Sequence, residues 1–200
     1  MTPTETVTIR NQLKEIKMPE KPILFCTDMI TAILEGKKTQ TRRIAKSNKP
    51  KYNVGDILWA RETLILNYFD DGKPAYKADW KTEKLKGLIQ PPKWKPSIFM
   101  PRVAARIFLK VTAVRQERLN DISEADAISE GVLLYDGWQT KEYKKVVALA
   151  HENGTKPPLG LTPCQRFGIL WNRLNAKRGF DWYTNPLVWV YEFERLQLPE

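Results

Sequence analysis

The chain has 200 residues, enough for one domain with insertions and a sizeable core, and carries 33 Lys+Arg against 23 Asp+Glu. The resulting net charge of +10 favours polyanionic or nucleotide-like partners. Its two cysteines, Cys26 and Cys164, form no C-x-x-C pair and exclude a disulfide framework, which suits a reducing compartment. With one histidine, His151, neither a His-rich zinc site nor a serine–histidine triad can be built. The zinc-deaminase pattern H-x-E…P-C-x-x-C also fails, since Glu152 follows His151 directly and Gln165, Arg166 and Phe167 follow Pro163-Cys164. No metal and no cofactor are expected. Residues 1–20 lack an apolar signal region and no stretch approaches a membrane span, so a soluble cytoplasmic protein without a membrane partner is expected.

In chain order, residues 1–20 are polar and read as a loosely ordered arm. Pro22 to Cys26 reads as a buried strand, and Met29 to Glu35 as a short apolar helix. Gly36 sits where a left-handed residue ends such a helix. Residues 44–53 are rich in Lys, Asn and Pro and read as loop. Val54-Gly55-Asp56 is a turn leading into a strand over 57–63. Residues 69–97 hold Asp70-Asp71-Gly72 and the prolines Pro91, Pro92 and Pro96, and read as a long loop with a little strand. Arg106 to Val114 is the clearest strand. Ser123 caps a short helix that ends at Glu130-Gly131, with Asp126 in the capping-box position. A second helix is expected over about 141–150, and a third from Thr162-Pro163 to about Lys177, stopped by Gly179. The stripe Phe167, Leu170, Trp171 and Leu174 on that helix reads as core. Leu187 to Phe193 closes the chain as a strand. Strands interleave with helices without a strict βαβ rhythm, so the fold class expected is α+β, a small mixed β-barrel with helices packed around it.

The segment Gly36-Lys37-Lys38-Thr39-Gln40-Thr41-Arg42-Arg43 carries the chemistry. Extended backbone sends Lys38, Gln40 and Arg42 one way and Lys37, Thr39, Thr41 and Arg43 the other. A bend there brings the Lys38 amine and the Thr41 hydroxyl together, an arrangement that activates a nucleophile. Flanking cations lower a lysine pKa and a nearby carboxylate opposes them; the sequence leaves that balance open. The competing reading is a solvated or phosphate-binding basic patch. A nucleotide P-loop is rejected, because the required positions hold Lys38 and Thr31 in place of Ser/Thr and Gly.

Three other residues stand out. A carboxylate at Glu130 meets the negative end of its helix dipole, which disfavours its charge, so it is either functional or an exposed residue at a frayed end. Glu62 is a rival carboxylate, expected to pair with Arg61 or Arg43 for structure. Trp59 offers a stacking face for a base, although strand tryptophans are more often core.

The pattern G-x-K-x-x-T-x-R at Gly36, Lys38, Thr41 and Arg43, the Val54-to-Trp59 turn and strand, and the Leu119-to-Gly131 helix segment resemble the ASCH-domain family of the PUA-like superfamily. The resemblance covers residues 21–196, with insertions at about 64–94 and 132–162. The segments Trp94–Pro101 and Asn185–Val190 resemble a longer bacterial and phage subgroup. The resemblance implies a barrel with a cleft lined by the motif. A small bacterial group of the family hydrolyses N(4)-acetylcytidine with a lysine, a threonine and a glutamate, which fall on Lys38, Thr41 and Glu130. By that resemblance these are catalytic; Arg43, Trp59 and Glu62 are the candidate substrate-binding residues. The partner implied is a nucleoside or nucleobase small molecule. Two further readings stay open: a non-catalytic module for RNA or a modified nucleobase, supported by Trp59, Trp80 and Trp94 among lysines, and a ribonuclease.

Overall fold

In the computed structural model, the described residues are 20–80, 92–132 and 161–197, with positions 148 and 152–154. The arm over 1–19, the helix expected over about 141–150 (position 148 apart), His151 and almost all of the second insertion lie outside them. The fold is α+β. Strands β1 (Glu20–Leu24), β2 (Gln40–Ile44), β3 (Ile57–Arg61), β6 (Phe108–Arg118) and β7 (Leu187–Arg195) form one mixed sheet in the order β1-β3-β6-β7-β2. A separate two-stranded sheet pairs β4 (Leu64–Ile65) with β5 (Ala75–Tyr76). Three helices are described: α1 (Thr27–Leu34), α2 (Glu124–Ser129) and α3 (Pro163–Asn175).

The chain divides into two compact units. The first unit holds Met1–Gly36, Lys51–Val114 and Tyr191–Glu200. Here β1 runs parallel to β3, Glu20 opposite Ile57 and Leu24 opposite Arg61. Strand β3 runs antiparallel to β6, with Leu58 opposite Leu109 and Trp59 opposite Phe108. Ile57, Leu64, Met100, Ala104, Ala105 and Phe108 form a buried cluster, with Trp59, Leu66, Tyr76 and Leu196 packed on it. The turn at Gly55 (φ 90°) is tied by Asp56, whose carboxylate accepts from the Asn53 N–H at 2.8 Å and pairs with Lys21. Helix α1 buries Ile30, Ala32 and Ile33.

The second unit holds Lys37–Pro50 and Arg115–Val190. Helix α3 begins with a capping box between Thr162 and Gln165, and Pro163 occupies its first turn. Phe167, Leu170 and Trp171 are buried as the stripe predicts, but Leu174 is exposed. The helix gives way to a 3-10 turn at Ala176–Arg178 before Gly179 (φ 81°) stops it. Gly168 lies against Trp182, where a Cβ would come within 3.2 Å of the indole. Strand β6 starts two residues later than its apolar alternation suggests and continues to Arg118. Its last four residues, Arg115 to Arg118, are all polar, so hydrophobic alternation fades before the backbone pairing does.

Gly36 behaves as its position predicts. Its φ is 71°, and its N–H bonds the carbonyl of Ile33 at 3.1 Å, closing α1. A Cβ at Gly36 would meet nothing within 4 Å, so Gly36→Ala carries only the backbone cost of a left-handed alanine, about 1 kcal/mol. Urea unfolding should show the midpoint falling by that amount with an unchanged slope; an unmoved midpoint would show that the segment tolerates another conformation.

Candidate functional site

The site assembles where the chain leaves Gly36. Lys38 makes an isolated antiparallel bridge with Glu130, and the Thr39 N–H bonds the Ser129 carbonyl at 2.9 Å. The motif is thereby held against the end of α2. Ser123 caps that six-residue helix by accepting from the Asp126 N–H at 3.1 Å, and Glu130 closes it with Gly131 (φ 84°) following. The Asp126 carboxylate occupies the expected capping-box position but bonds arginines.

Three side chains on one face of the motif reach this helix end. Lys38 Nζ donates to Glu130 Oε2 at 2.6 Å and to the Glu130 carbonyl at 2.9 Å. Gln40 Nε2 donates to the Asp126 carbonyl at 2.7 Å. Arg42 Nη1 donates to Glu130 Oε1 at 3.2 Å and Nη2 to Asp126 Oδ2 at 2.9 Å. Arg42 also grips Glu117 Oε1 on β6 through Nε (3.0 Å) and Nη2 (2.7 Å). Behind it, Arg115 bonds Glu117 Oε2 at 3.0 Å and Asp126 Oδ2 at 3.1 Å. Three cations and three carboxylates are thus joined in one network, with the Lys38 and Arg42 side chains wholly removed from solvent.

Lys38 and Glu130 are therefore in direct contact, and Glu130 is only 2% exposed, which removes the reading of a frayed surface residue. The cation expected to crowd Lys38 instead contacts the other oxygen of Glu130, and Lys37 is exposed. Lys38 is thus in contact with a carboxylate. Thr41 is buried in β2 between Gln40 and Arg42. Arg43 follows in the same strand, half-buried.

The other two expected binding residues belong to the first unit and have partners of their own. Glu62 is 1% exposed and receives both Nε (2.8 Å) and Nη2 (3.0 Å) of Arg106, not a bond from Arg61 or Arg43 as expected. Arg106 also pairs with Asp79 and lies 3.9 Å from the Tyr76 ring centroid. Burial pushes the Glu62 carboxyl above its ordinary value although Arg106 opposes the shift, and burial pushes the Tyr76 hydroxyl up to about 12. Trp59 packs on the core cluster with the Arg61 and Arg102 guanidiniums 5.4 and 6.0 Å from its ring.

Arg42 is the residue the sequence reading passed over. Two signals mark it: it shares a face with Lys38 and Gln40, and Asp126 and Glu130 stand four apart on the helix, hence on one side. Among the described residues no group of three His, Cys, Asp or Glu side chains is arranged to hold a metal, and no helix is long and apolar enough to cross a membrane.

No family model matches the chain, and no curated protein matches it. Solved structures similar to it include one from Lactobacillus crispatus JV V101, with a TM-score of 0.43 and 15% identity over 96% of this chain and 89% of that chain. Another is a protein of Enterococcus faecalis V583 assigned to DUF984, with a TM-score of 0.46 and 13% identity over 98% and 91%. The first of these is an ASCH domain.

The network makes stability depend on acid. Burial pushes the Asp126 carboxyl up, but Gln40, Arg42 and Arg115 outweigh it and hold it below its ordinary value of 3.8. A carboxyl depressed on folding contributes stability that is complete above the unfolded value and is lost as pH falls through the folded one. The melting temperature should therefore hold level down to about pH 5 and drop below about pH 4. Asp126→Asn should lower the plateau and flatten that acid drop; an equally steep drop in the variant would assign it to other carboxylates.

Proposed function

We propose that this protein is a metal-independent amidohydrolase that removes an acyl group from the exocyclic nitrogen of cytidine or a related nucleoside. The observation that carries the reading is the buried contact of Lys38 Nζ with Glu130 Oε2 at 2.6 Å, beside a strand that also holds the buried Thr41. One proton shift within the pair, from Nζ to Oε2, creates both groups an amide hydrolysis needs: a neutral amine as base and a carboxylic acid as proton donor. Thr41 Oγ then attacks the acyl carbonyl carbon as Lys38 takes its proton, giving a tetrahedral intermediate. Collapse breaks the C–N bond, Glu130 protonates the departing cytosine nitrogen, and an acyl ester remains on Thr41. Water then attacks the ester carbonyl as the Glu130 carboxylate takes its proton, and the Lys38 ammonium returns a proton to the departing Thr41 Oγ, with one carboxylic acid and one nucleoside as products. Arg43, half-buried in the same strand as Thr41, adds positive charge to the motif. The Thr41 hydroxyl rotates toward the bound acyl group.

The test is incubation of chelator-treated protein with N(4)-acetylcytidine and bulkier N(4)-acyl analogues, following cytidine release. Thr41→Ala should lose at least about 1,000-fold in kcat. Lys38→Arg should lose about 100-fold or more despite keeping its charge, because arginine does not give up its proton. Close to full turnover in Lys38→Arg would remove the general-base assignment. No cytidine release by the wild-type protein above the Lys38→Ala background would remove the activity.

The second reading is a binding module for RNA or a modified nucleobase. It is favoured by the ring contacts of Tyr68 with Trp80 (5.5 Å) and of Trp80 with Trp94 (5.6 Å), near the exposed Lys77, Lys93 and Lys95 of the first unit. It predicts oligonucleotide binding that weakens steeply with salt and survives Thr41→Ala. Fluorescence titration at several salt concentrations separates the two.

A further inference from the structure

We infer that Arg42 is a positioning residue for Glu130, holding the carboxylate so that a single oxygen faces Lys38. The inference rests on the amidohydrolase reading only for its kinetic consequence; the positioning itself stands on geometry.

The two oxygens of Glu130 are divided between two cations, Oε2 to Lys38 at 2.6 Å and Oε1 to Arg42 Nη1 at 3.2 Å. A carboxylate held at one oxygen alone can turn about its Cγ–Cδ bond and present either oxygen, or neither, to its partner. Held at both, it cannot. The holding group must be rigid for this to matter, and Arg42 is fixed from several directions. Its Nε and Nη2 both bond Glu117 Oε1, Nη2 also bonds Asp126 Oδ2, and its guanidinium lies 5.8 Å from the Phe167 ring centroid. Glu117 and Asp126 are in turn held by Arg115.

The charges around Arg42 suit the same role. Arg42 brings two carboxylates of its own, Glu117 and Asp126, which offset its charge and leave a directional grip on Oε1. In the transfer, the Nζ–H bond breaks and the Oε2–H bond forms, which needs Oε2 on the line to Nζ. Arg42 sets that line without touching the substrate.

The experiment compares the wild-type protein with Arg42→Lys, which keeps the charge but lacks the planar fork, and with Glu117→Gln, which loosens the fork from behind. Two readouts are taken after thermal melts show which proteins fold. The first is the 15N NMR signal of the Lys38 ammonium, identified by its loss in Lys38→Arg; its protons should be protected from exchange in the wild type and unprotected in both variants. The second is steady-state kinetics on N(4)-acetylcytidine, where Arg42→Lys should lower kcat about 100-fold with KM within about threefold, since a misplaced catalytic group costs rate more than binding. Glu117→Gln should fall between, at about tenfold. A folded Arg42→Lys with wild-type kcat and a protected Lys38 ammonium overturns the proposal. If Arg42→Lys does not fold, Glu117→Gln decides by the same readouts. If the wild type shows no turnover, the amidohydrolase reading fails, and the Lys38 signal alone decides whether Arg42 positions Glu130.

Discussion

A lysine ammonium with no exposed side-chain surface is tolerable only in contact with an anion, and the second unit is organised around that condition. Removing a charge from water costs several kcal/mol per ion, recovered only where geometry and hydrogen bonding are complete. Lys38 meets it through Glu130, which supplies both a carboxylate oxygen and a backbone carbonyl. Glu130 then needs its other oxygen satisfied, which brings in Arg42. Arg42, equally removed from solvent, requires Glu117 and Asp126. Each buried charge thus calls for the next, until the chain of pairs reaches the partly exposed Arg115.

The backbone around this network consists largely of devices that bring its ends together. Gly36 turns the chain out of α1 two residues before Lys38, and Gly131 turns it away one residue after Glu130, both with positive φ. Between these turns the Lys38–Glu130 bridge and the Thr39–Ser129 hydrogen bond fix the two segments in register. Helix α2, only six residues long, gains little from propensity and is held by its Ser123 cap and by the arginines on Asp126. The first unit solves a similar problem on a smaller scale, with Arg106 shared between buried Glu62 and exposed Asp79 over the Tyr76 ring.

Features set by neighbours in sequence were legible. The left-handed Gly36, the Ser123 and Thr162 caps, and the common face of Lys38, Gln40 and Arg42 all follow from local rules. Glu130 was singled out because an acid at the wrong end of a helix dipole needs a reason. What was not legible depended on pairing across long separations. Glu62 meets Arg106, forty-four residues away, whereas sequence adjacency and a nearby basic run suggested Arg61 or Arg43. Arg42 looked like one more member of a basic run, since nothing local distinguishes a buried arginine from a solvated one until Glu117 and Asp126 are placed around it. Leu174 keeps the helical period within α3 and is nevertheless exposed, because the period alone does not say where along a helix its packing partners end.

The interlocking of these charges also bears on how the sequence can change. Lys38, Arg42, Glu117 and Asp126, together with Arg115 and Glu130, come from three separate stretches, and Arg42, Glu117, Asp126 and Glu130 each serve two or more partners. Losing any of the buried members strands another charge away from water, so single substitutions are penalised far more than the loss of the whole set. The permitted routes are concerted: several members exchanged together for apolar side chains of similar volume, with function surrendered, or none. The three stretches are in effect one unit of inheritance, bound by electrostatics where the chain does not bind them.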